Sequence, residues 1–579
     1  MVAESNTRPI SGKEVAPLLT LPSKRSEARS GLGLLAKGID EWPTYTELKA
    51  VYRTSSLPYY IVQSMAIDQQ LTVPMPVFPV SDKEVDSVSS EGYVALLRKL
   101  AKDSGIYALA SFVTPLIALV LAPFLTRSLS HADYGALTVL NTTIALVAGI
   151  TQFGLGSAFF RAYSCDYESV QDRRGVLSTV MMLLALGALP TSVAAVFLAP
   201  QLSSLLFGSF SYVDAIKIAA LVVLLQNMTV PGFSWLRAEN KAGFFALLSI
   251  ANLLVGLGAT LMLIGSLHMG IVGAVLATGC GYALVVLCTL PLMLVRAGMR
   301  IRRDIAKNVL SFGLPLVSNF ISVWVLQLSD RYLLSRFSSL SETASYGVAY
   351  TLGGVMSVVV LSPFILAWPS AMFAIAKRRD AVQVFQMVFR WFSLVLLVAA
   401  YGLSLISMAV LNLFFPPSYH AAAAIIPIVA LSLVFYGIYN IVTVGVSIQR
   451  KTWLAAIFTT LSALINIAVN IILIPRYGSM GAAASTLIAY ALLAVVAYSV
   501  NQRIYYVPFE VGLFLLALSL GLILYIGTSI FVQNRPVHTV EGIYLGTFGF
   551  YVGCLMLLGI LARHHSKQRD RQVEEVLIS

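Results

Sequence analysis

Residues 124–140 read FLTRSLSHADYGALTVL, and residues 332–352 read YLLSRFSSLSETASYGVAYTL. Each stretch has an apolar run, an Arg- and Ser-rich connection holding an acid, then Tyr-Gly opening the next apolar run. Arg127 aligns with Arg336, and Tyr134-Gly135 with Tyr346-Gly347. A second pair lies further along: LIGSLHMGIVGAVLATGCGYAL at 263–284 and LIPRYGSMGAAASTLIAYAL at 473–492, where Gly270, Gly273 and Ala274 match Gly478, Gly481 and Ala482. The entries correspond too, AKDSG at 101–105 and AKNVL at 306–310. Small residues favour close helix packing anywhere, but that does not place the same connection at the same point of both halves. Duplication of one unit explains it.

The unit is set by the apolar runs. About 20 predominantly apolar residues cross the hydrocarbon of a bilayer as a helix. Fourteen runs qualify: 106–126, 134–160, 176–200, 216–235, 243–264, 270–295, 309–334, 346–371, 391–415, 421–448, 453–475, 481–500, 511–532 and 543–562. The sequence therefore predicts an all-α polytopic membrane protein. Spans 1–6 resemble spans 7–12, and spans 13 and 14 are additional. Six crossings return the chain to its starting side, so the two lobes (101–305 and 306–502) run parallel and are related by an axis along the membrane normal. That symmetry is typical of transporters that alternate between inward and outward openings.

Composition agrees. Apolar residues make up 58% of the chain and charged residues 11%, against about 25% charged in soluble domains. The net charge of +12 would suit a nucleic-acid partner if it were gathered on one soluble face. Instead twenty-one Lys and Arg lie in the connections after even-numbered spans and in the basic tail 563–579. Only five (Arg127, Arg331, Arg336, Arg476 and Arg535) are counted on the other side, with Lys217 in addition at the start of span 4. Arg98, Lys99 and Lys102 join the larger set. The asymmetry predicts both termini in the cytoplasm. The excess charge serves topology and contact with anionic lipids, with no nucleic-acid role. Residues 1–100 differ: the first 95 carry eight Pro, nine Lys or Arg and eleven Asp or Glu, which reads as a largely irregular cytoplasmic extension. A linker reading is preferred over a surface helix even at 44–67, where Tyr, Ile and Leu are denser. The remaining segment, 503–562, holds spans 13 and 14.

No secretory signal follows Met1. The four cysteines lack metal-ligand spacing. No G-x-x-x-x-G-K-[ST] loop is present, which excludes ATP hydrolysis by this chain. No enzyme chemistry, metal or cofactor is expected.

The segments FLTRSLSHADYGAL and QFGLGSAFFRAY (152–163), with SDRYLLSRF (329–337) and ASYGVAY (344–350) in the second half, resemble the polysaccharide transporter family. These are the Wzx-type oligosaccharide-lipid flippases of the multidrug/oligosaccharidyl-lipid/polysaccharide exporter superfamily. The pattern covers about residues 100–500. It implies two six-helix lobes around a cavity and turnover of a polyprenyl-pyrophosphate-linked oligosaccharide from the inner to the outer leaflet. The implied setting is a bacterial cytoplasmic membrane, with membrane lipids and polysaccharide polymerase or assembly proteins as further partners. A multidrug cation antiporter on the same fold is one alternative. A membrane scaffold of a polysaccharide assembly complex, supported by the extension alone, is another.

Polar residues inside spans need a reason, since a charge at the bilayer centre costs about 2.5–3.5 kcal/mol on insertion scales. Asp330 is the only carboxylate well inside a span. Asn319 lies three helical turns before it on the same face of span 7, with Ser322 and Gln327 beside the stripe. Asp330 is the candidate for ion coupling; the competing reading pairs it with Arg331 or Arg336. Arg161, at the inner end of span 2, is a candidate phosphate contact or an interfacial anchor. Arg127 and Arg331 have the same two readings at the outer mouth. Asn141 and Gln152 form a second polar stripe on span 2, and Asn466 and Asn470 share a face of span 11. These are candidates for substrate contact or for hydrogen bonds between helices. Trp324 and Trp368 are read as packing or anchoring residues ahead of sugar-stacking ones. Asp214 and Lys217 read as a local ion pair, and no histidine lies inside a span.

Overall fold

The computed structural model describes residues 117–378, 380–532 and 537–578, all in the compact unit Leu97–Ser579. The extension over 1–100 and the beginning of the first expected span lie outside the described residues. No strand occurs among the described residues. That is the expected outcome for a chain in lipid, where a helix satisfies its own backbone polar groups.

The helices are α1 (Ile117–Ser128), α2 (His131–Thr151), α3 (Leu155–Arg161), α4 (Val170–Phe197), α5 (Val213–Ala238), α6 (Ala242–Thr260), α7 (Gly270–Ala297) and α8 (Arg303–Phe337). Then follow α9 (Leu340–Met356), α10 (Ser362–Ile375), α11 (Ala381–Phe414), α12 (Ala422–Val442), α13 (Trp453–Ile504), α14 (Val511–Val532) and α15 (Val537–Ile578). A π turn over Ser357–Leu361 joins α9 to α10, so that pair forms one crossing. Twelve helices among the described residues are long and apolar enough to span a membrane. The longest, α13, holds two expected spans. Gly478 breaks it at φ 55° and ψ −131°, a conformation that a residue with a Cβ adopts only under strain. The Glu342 carboxylate sits there and accepts from the Ser479 backbone N–H at 2.9 Å. It thus caps the second half of α13 at its N-terminus, where a negative charge is favoured.

Span 2 also departs from the continuous run expected over 134–160. It breaks between α2 and α3, with Phe153 at φ 49° and Gly154 at φ 65°. Hydropathy does not register such a break. Its cause is tertiary: Gly154 lies against Gly313 of α8, where a Cβ on Gly154 would collide with the Gly313 carbonyl and one on Gly313 with the Phe153 carbonyl. The expected tail 563–579 continues α15 as helix to Ile578.

Matched sequences give matched local structure. Ser130 and Ser339 are N-caps of α2 and α9, accepting from Asp133 N and Glu342 N at 3.1 Å. Both are Ser-x-x-acid caps. Gly270 and Gly478 both take positive φ. Gly273 and Gly481, three residues on, each press on the helix preceding their turn at Leu263 and Leu473.

Within the first half, α5 packs along α4, α7 and α2, and α6 along α7. Within the second, α13 packs along α8 and α12, and α12 along α11 and α9. The halves meet where α2 lies along both α9 and α8. Inner and outer below follow the loop-charge orientation. At the inner end the α7–α8 link is strapped to α4. The Ser178 hydroxyl donates to the carbonyls of Gly298 and Arg300 at 2.9 Å, and Arg302 N donates to Thr179 Oγ1 at 3.1 Å. Ile305 and Val309 are consequently buried with Val176, Leu177 and Val180 of α4. Helix α8 thus begins in the core of the first half and ends in that of the second.

The last two helices pack against each other and against α11. Arg390 of α11, 4% exposed, clasps Glu510 with two guanidinium nitrogens, Nε at 2.6 Å, and Gln386 supports the same carboxylate at 3.0 Å. Removing one partner of a buried pair strands the other charge, a cost of about 3–5 kcal/mol. Arg390→Met is therefore expected to lower the thermal unfolding midpoint sharply in detergent. Arg390→Met with Glu510→Leu is expected to recover most of the loss. Unfolding followed by tryptophan fluorescence checks both.

Candidate functional site

The polar centre of the second half is built on four crossings. Span 7 (α8) supplies Asp330, span 8 (α9) Tyr346, and the two halves of α13 supply Asn470 and Thr486. Asp330 is fully buried, at 0% exposure. Its Oδ2 accepts from the hydroxyls of Tyr346 at 2.5 Å and Thr486 at 2.7 Å, and its Oδ1 accepts from Asn470 Nδ2 at 2.8 Å. Asn470 Nδ2 also donates to Asn466 Oδ1 at 3.1 Å, while Ser485 donates to Asn470 Oδ1. Asn466 Nδ2 is buried without a partner.

Three donors on one carboxyl group give it hydrogen-bond partners that lipid would not supply. Asp330, Asn466, Asn470, Ser485 and Thr486 are joined in one buried hydrogen-bonded chain. That chemistry suits a proton or a small cation, with the hydroxyls and amides turning to accommodate it.

Arg331 follows directly but takes another direction, because consecutive helical residues do not face each other. Its Nη1 donates to the Gln327 carbonyl at 2.9 Å, and its guanidinium lies over the rings of Tyr350 at 4.7 Å and Tyr346 at 5.8 Å. It is 9% exposed. Among the described residues no ion pair joins Asp330 to Arg331 or Arg336, and none involves Arg331 at all. The pairing offered by the sequence is thus replaced by hydroxyl and amide donors on other helices.

The remaining sequence candidates are dispersed. Asn319 is exposed while Asp330 is buried; they share a stripe of α8, and between them Ser322 hydrogen-bonds Thr460 of α13 at 2.9 Å. Asn141 of α2 is exposed and Gln152 is partly buried at the end of α2. Gln327 contributes its carbonyl to Arg331. Arg161 is exposed, 3.7 Å from Asp166 and 4.8 Å over the Phe312 ring, at the inner seam between α3 and α8. Arg127 is exposed and reaches the Leu413 carbonyl at 3.4 Å. Trp324 and Trp368 are buried, and Trp324 Nε1 donates to the Thr142 carbonyl at 3.2 Å. Asp214 and Lys217 pair at 2.9 Å.

The reading of the sequence missed Tyr346, Ser485 and Thr486. The available signals were a Ser-Thr pair in the alanine-rich second half of α13 and the tyrosine of the repeated Tyr-Gly.

The outer seam between the halves uses that same repeat. Gly135 of α2 lies against the Leu340 backbone of α9, and a Cβ there would collide with its carbonyl. Gly347 of α9 lies against Thr138 of α2; a Cβ there would be 2.9 Å from its Oγ1. The matched glycines thus seal one interface reciprocally. His131 and Tyr134 pack edge-on against Tyr419 beside it.

Comparison with known proteins agrees with this architecture. A family described as "Polysaccharide biosynthesis protein" matches residues 100–373. The chain is similar to a probable low-salt glycan biosynthesis flippase, Agl15, of Haloferax volcanii. The two are 22% identical over 382 residues, which cover 64% of this chain and 77% of that one. Among solved structures, the lipid II flippase MurJ in an inward closed conformation superposes with a TM-score of 0.62 at 18% identity, covering 77% of this chain and 97% of the other. A multidrug resistance MATE family transporter of the MOP superfamily, inward-facing, gives 0.54 at 15% identity, covering 68% and 94%. The fold is that of these transporters. By their descriptions, Agl15 is a probable flippase, MurJ a flippase and the MATE protein a transporter.

Proposed function

We propose, from the match of residues 100–373 to the family described as "Polysaccharide biosynthesis protein", that this multi-pass transporter turns a polyprenyl-pyrophosphate-linked oligosaccharide from the inner to the outer leaflet. It does so by alternating access between lobes 101–305 and 306–502. In this reading the chain crosses the cell membrane fourteen times with both termini in the cytoplasm. The Haloferax relative is archaeal, so it adds nothing to the expectation of a bacterial source.

The observation that carries the reading is Arg331. A guanidinium held in a span, stacked on two tyrosines and paired with no carboxylate among the described residues, retains donors for phosphate oxygens. Asn141 and Asn319 support it. Exposed amides inside spans need water beside them rather than acyl chains, which suits a cavity between the lobes. Gln327 and Gln152 border the same two helices, and Arg161 and Arg127 stand at its inner and outer mouths. The sugar moves through water while the prenyl tail remains in lipid. Asp330, with Asn466, Asn470 and Thr486, couples this movement to a proton or a small monovalent cation.

A second reading, export of cationic compounds, is favoured by the same buried carboxylate. The full chain reconstituted in liposomes separates the two. Leaflet reversal of a polyprenyl-pyrophosphate sugar, accelerated by an ion gradient and lowered at least tenfold by Arg331→Gln, is the expected result. Efflux of a cationic dye without reversal of any such lipid would replace the first reading by the second.

A further inference from the structure

At the inner ends of α5 and α7, cations collect around aromatic rings that neither the Asp330 centre nor the outer seam uses. Trp235 of α5 is buried. Lys241 Nζ lies 4.9 Å, and the Arg296 guanidinium 5.2 Å, from its ring centre. The neighbouring Tyr163 carries the Arg173 guanidinium at 5.6 Å and donates its hydroxyl to Glu239. Burial first, and then that carboxylate, push the Tyr163 phenol up to about 12. It therefore remains a donor throughout the physiological range.

Glu239 is the single carboxylate of the cluster, and its other oxygen stands 3.9 Å from Arg296. Lys241 and Arg173 have no carboxylate within ion-pairing distance among the described residues.

Positive charge that only sets topology needs to lie on one side of the membrane and nothing more. Here the cations come from three separate segments and converge. Their charged heads lie over aromatic faces, so part of the ordering entropy of binding is already spent. Lys241 and Arg296 are exposed. Both stand at helix ends, the depth at which lipid headgroups lie. A phosphodiester there meets several donors and a net positive field without entering the hydrocarbon.

We propose that Lys241, Arg296 and Arg173, seated on Trp235 and Tyr163, form a docking site for the phosphate of an anionic phospholipid of the surrounding leaflet. The site depends on the membrane-spanning fold alone and not on which molecule is transported.

Native mass spectrometry of the purified full chain, titrated with phosphatidylglycerol or phosphatidylcholine, tests it. Lys241→Gln with Arg296→Gln is expected to weaken phosphatidylglycerol binding about tenfold, with phosphatidylcholine binding unchanged. Both side chains are exposed, and an unchanged thermal midpoint shows that the variant is folded. Lys451→Gln with Arg503→Gln removes equal charge from exposed positions on the same expected side and is expected to leave binding within about twofold. Equal losses in the two double variants would mean diffuse attraction and would overturn the site. So would undiminished binding in the first. Displacement of phosphatidylglycerol by a polyprenyl diphosphate at far lower concentration would assign the site to the transported lipid and would equally overturn the proposal.

Discussion

Asp330→Asn is expected to fold with near-native stability yet to lower gradient-driven lipid turnover at least tenfold. The two outcomes separate because of the amide chain beside it. An asparagine at 330 keeps one oxygen for the Tyr346 and Thr486 hydroxyls and turns an NH2 toward Asn470, which then presents its own oxygen. The flipped Asn470 donates to Ser485, whose hydroxyl already has the Ala482 carbonyl as an alternative acceptor at 2.9 Å. Asn466, whose Nδ2 is unpartnered, can turn to donate to the same Asn470 oxygen. One orphan position remains at Asn466, as in the wild type, where its Nδ2 lacks a partner. The count of unpartnered groups in the network therefore does not rise, and only the ionisable carboxyl is gone. Asp330→Leu, in contrast, takes the acceptor from three buried donors. Asn470 keeps Asn466 and Thr486 keeps the Ala482 carbonyl, but the Tyr346 hydroxyl is stranded at about 1–3 kcal/mol, and the variant is expected to unfold at a lower temperature. Turnover measured in liposomes with and without an imposed ion gradient, beside thermal unfolding of the same preparations, checks both variants. Wild-type turnover and ion dependence in Asp330→Asn would remove Asp330 from coupling.

The helices were legible because bilayer thickness fixes the length of an apolar run, and Asp330 was legible as the lone carboxylate within one. What surrounds Asp330 was not. Its partners stand 16, 140 and 156 positions away, on helices whose rotation about their own axes no local pattern specifies when nearly every face is apolar. Arg331 is the clearest case. Adjacency in sequence suggested an ion pair, whereas helical geometry points the two side chains about 100° apart. The break between α2 and α3 was hidden for a related reason. Gly154 yields to the Gly313 backbone of a helix distant in sequence, and the apolar run continues across the break unaltered. The repeated motifs were legible because they repeat identities rather than periodicities, and their caps and glycine turns do match in structure. Those repeated positions then proved to be where the halves touch.

That seam supplies the last expected result. Thr138→Cys with Gly347→Cys, in a chain whose four free cysteines at 165, 280, 288 and 554 are replaced by Ser or Ala, should form a disulfide under mild oxidation. An ideal Cβ at 347 lies 3.7 Å from the Thr138 Cβ, within the range of about 3.5–4.5 Å that a disulfide spans. Gly347 has an ordinary helical φ, so a cysteine there is not strained by the backbone, and Thr138→Cys removes the hydroxyl that crowds it. The bond staples α2 to α9 at their outer ends. If the halves must part there for the headgroup to leave, oxidised protein is expected to lose nearly all turnover and to regain it with a thiol reductant. Binding of substrate from the inner side is expected to persist in the oxidised form, because the staple lies at the opposite end of the helices. Full turnover with the disulfide shown intact by mass spectrometry would mean that this seam never opens. The headgroup would then need another route between the halves, and the reciprocal glycines would be packing alone.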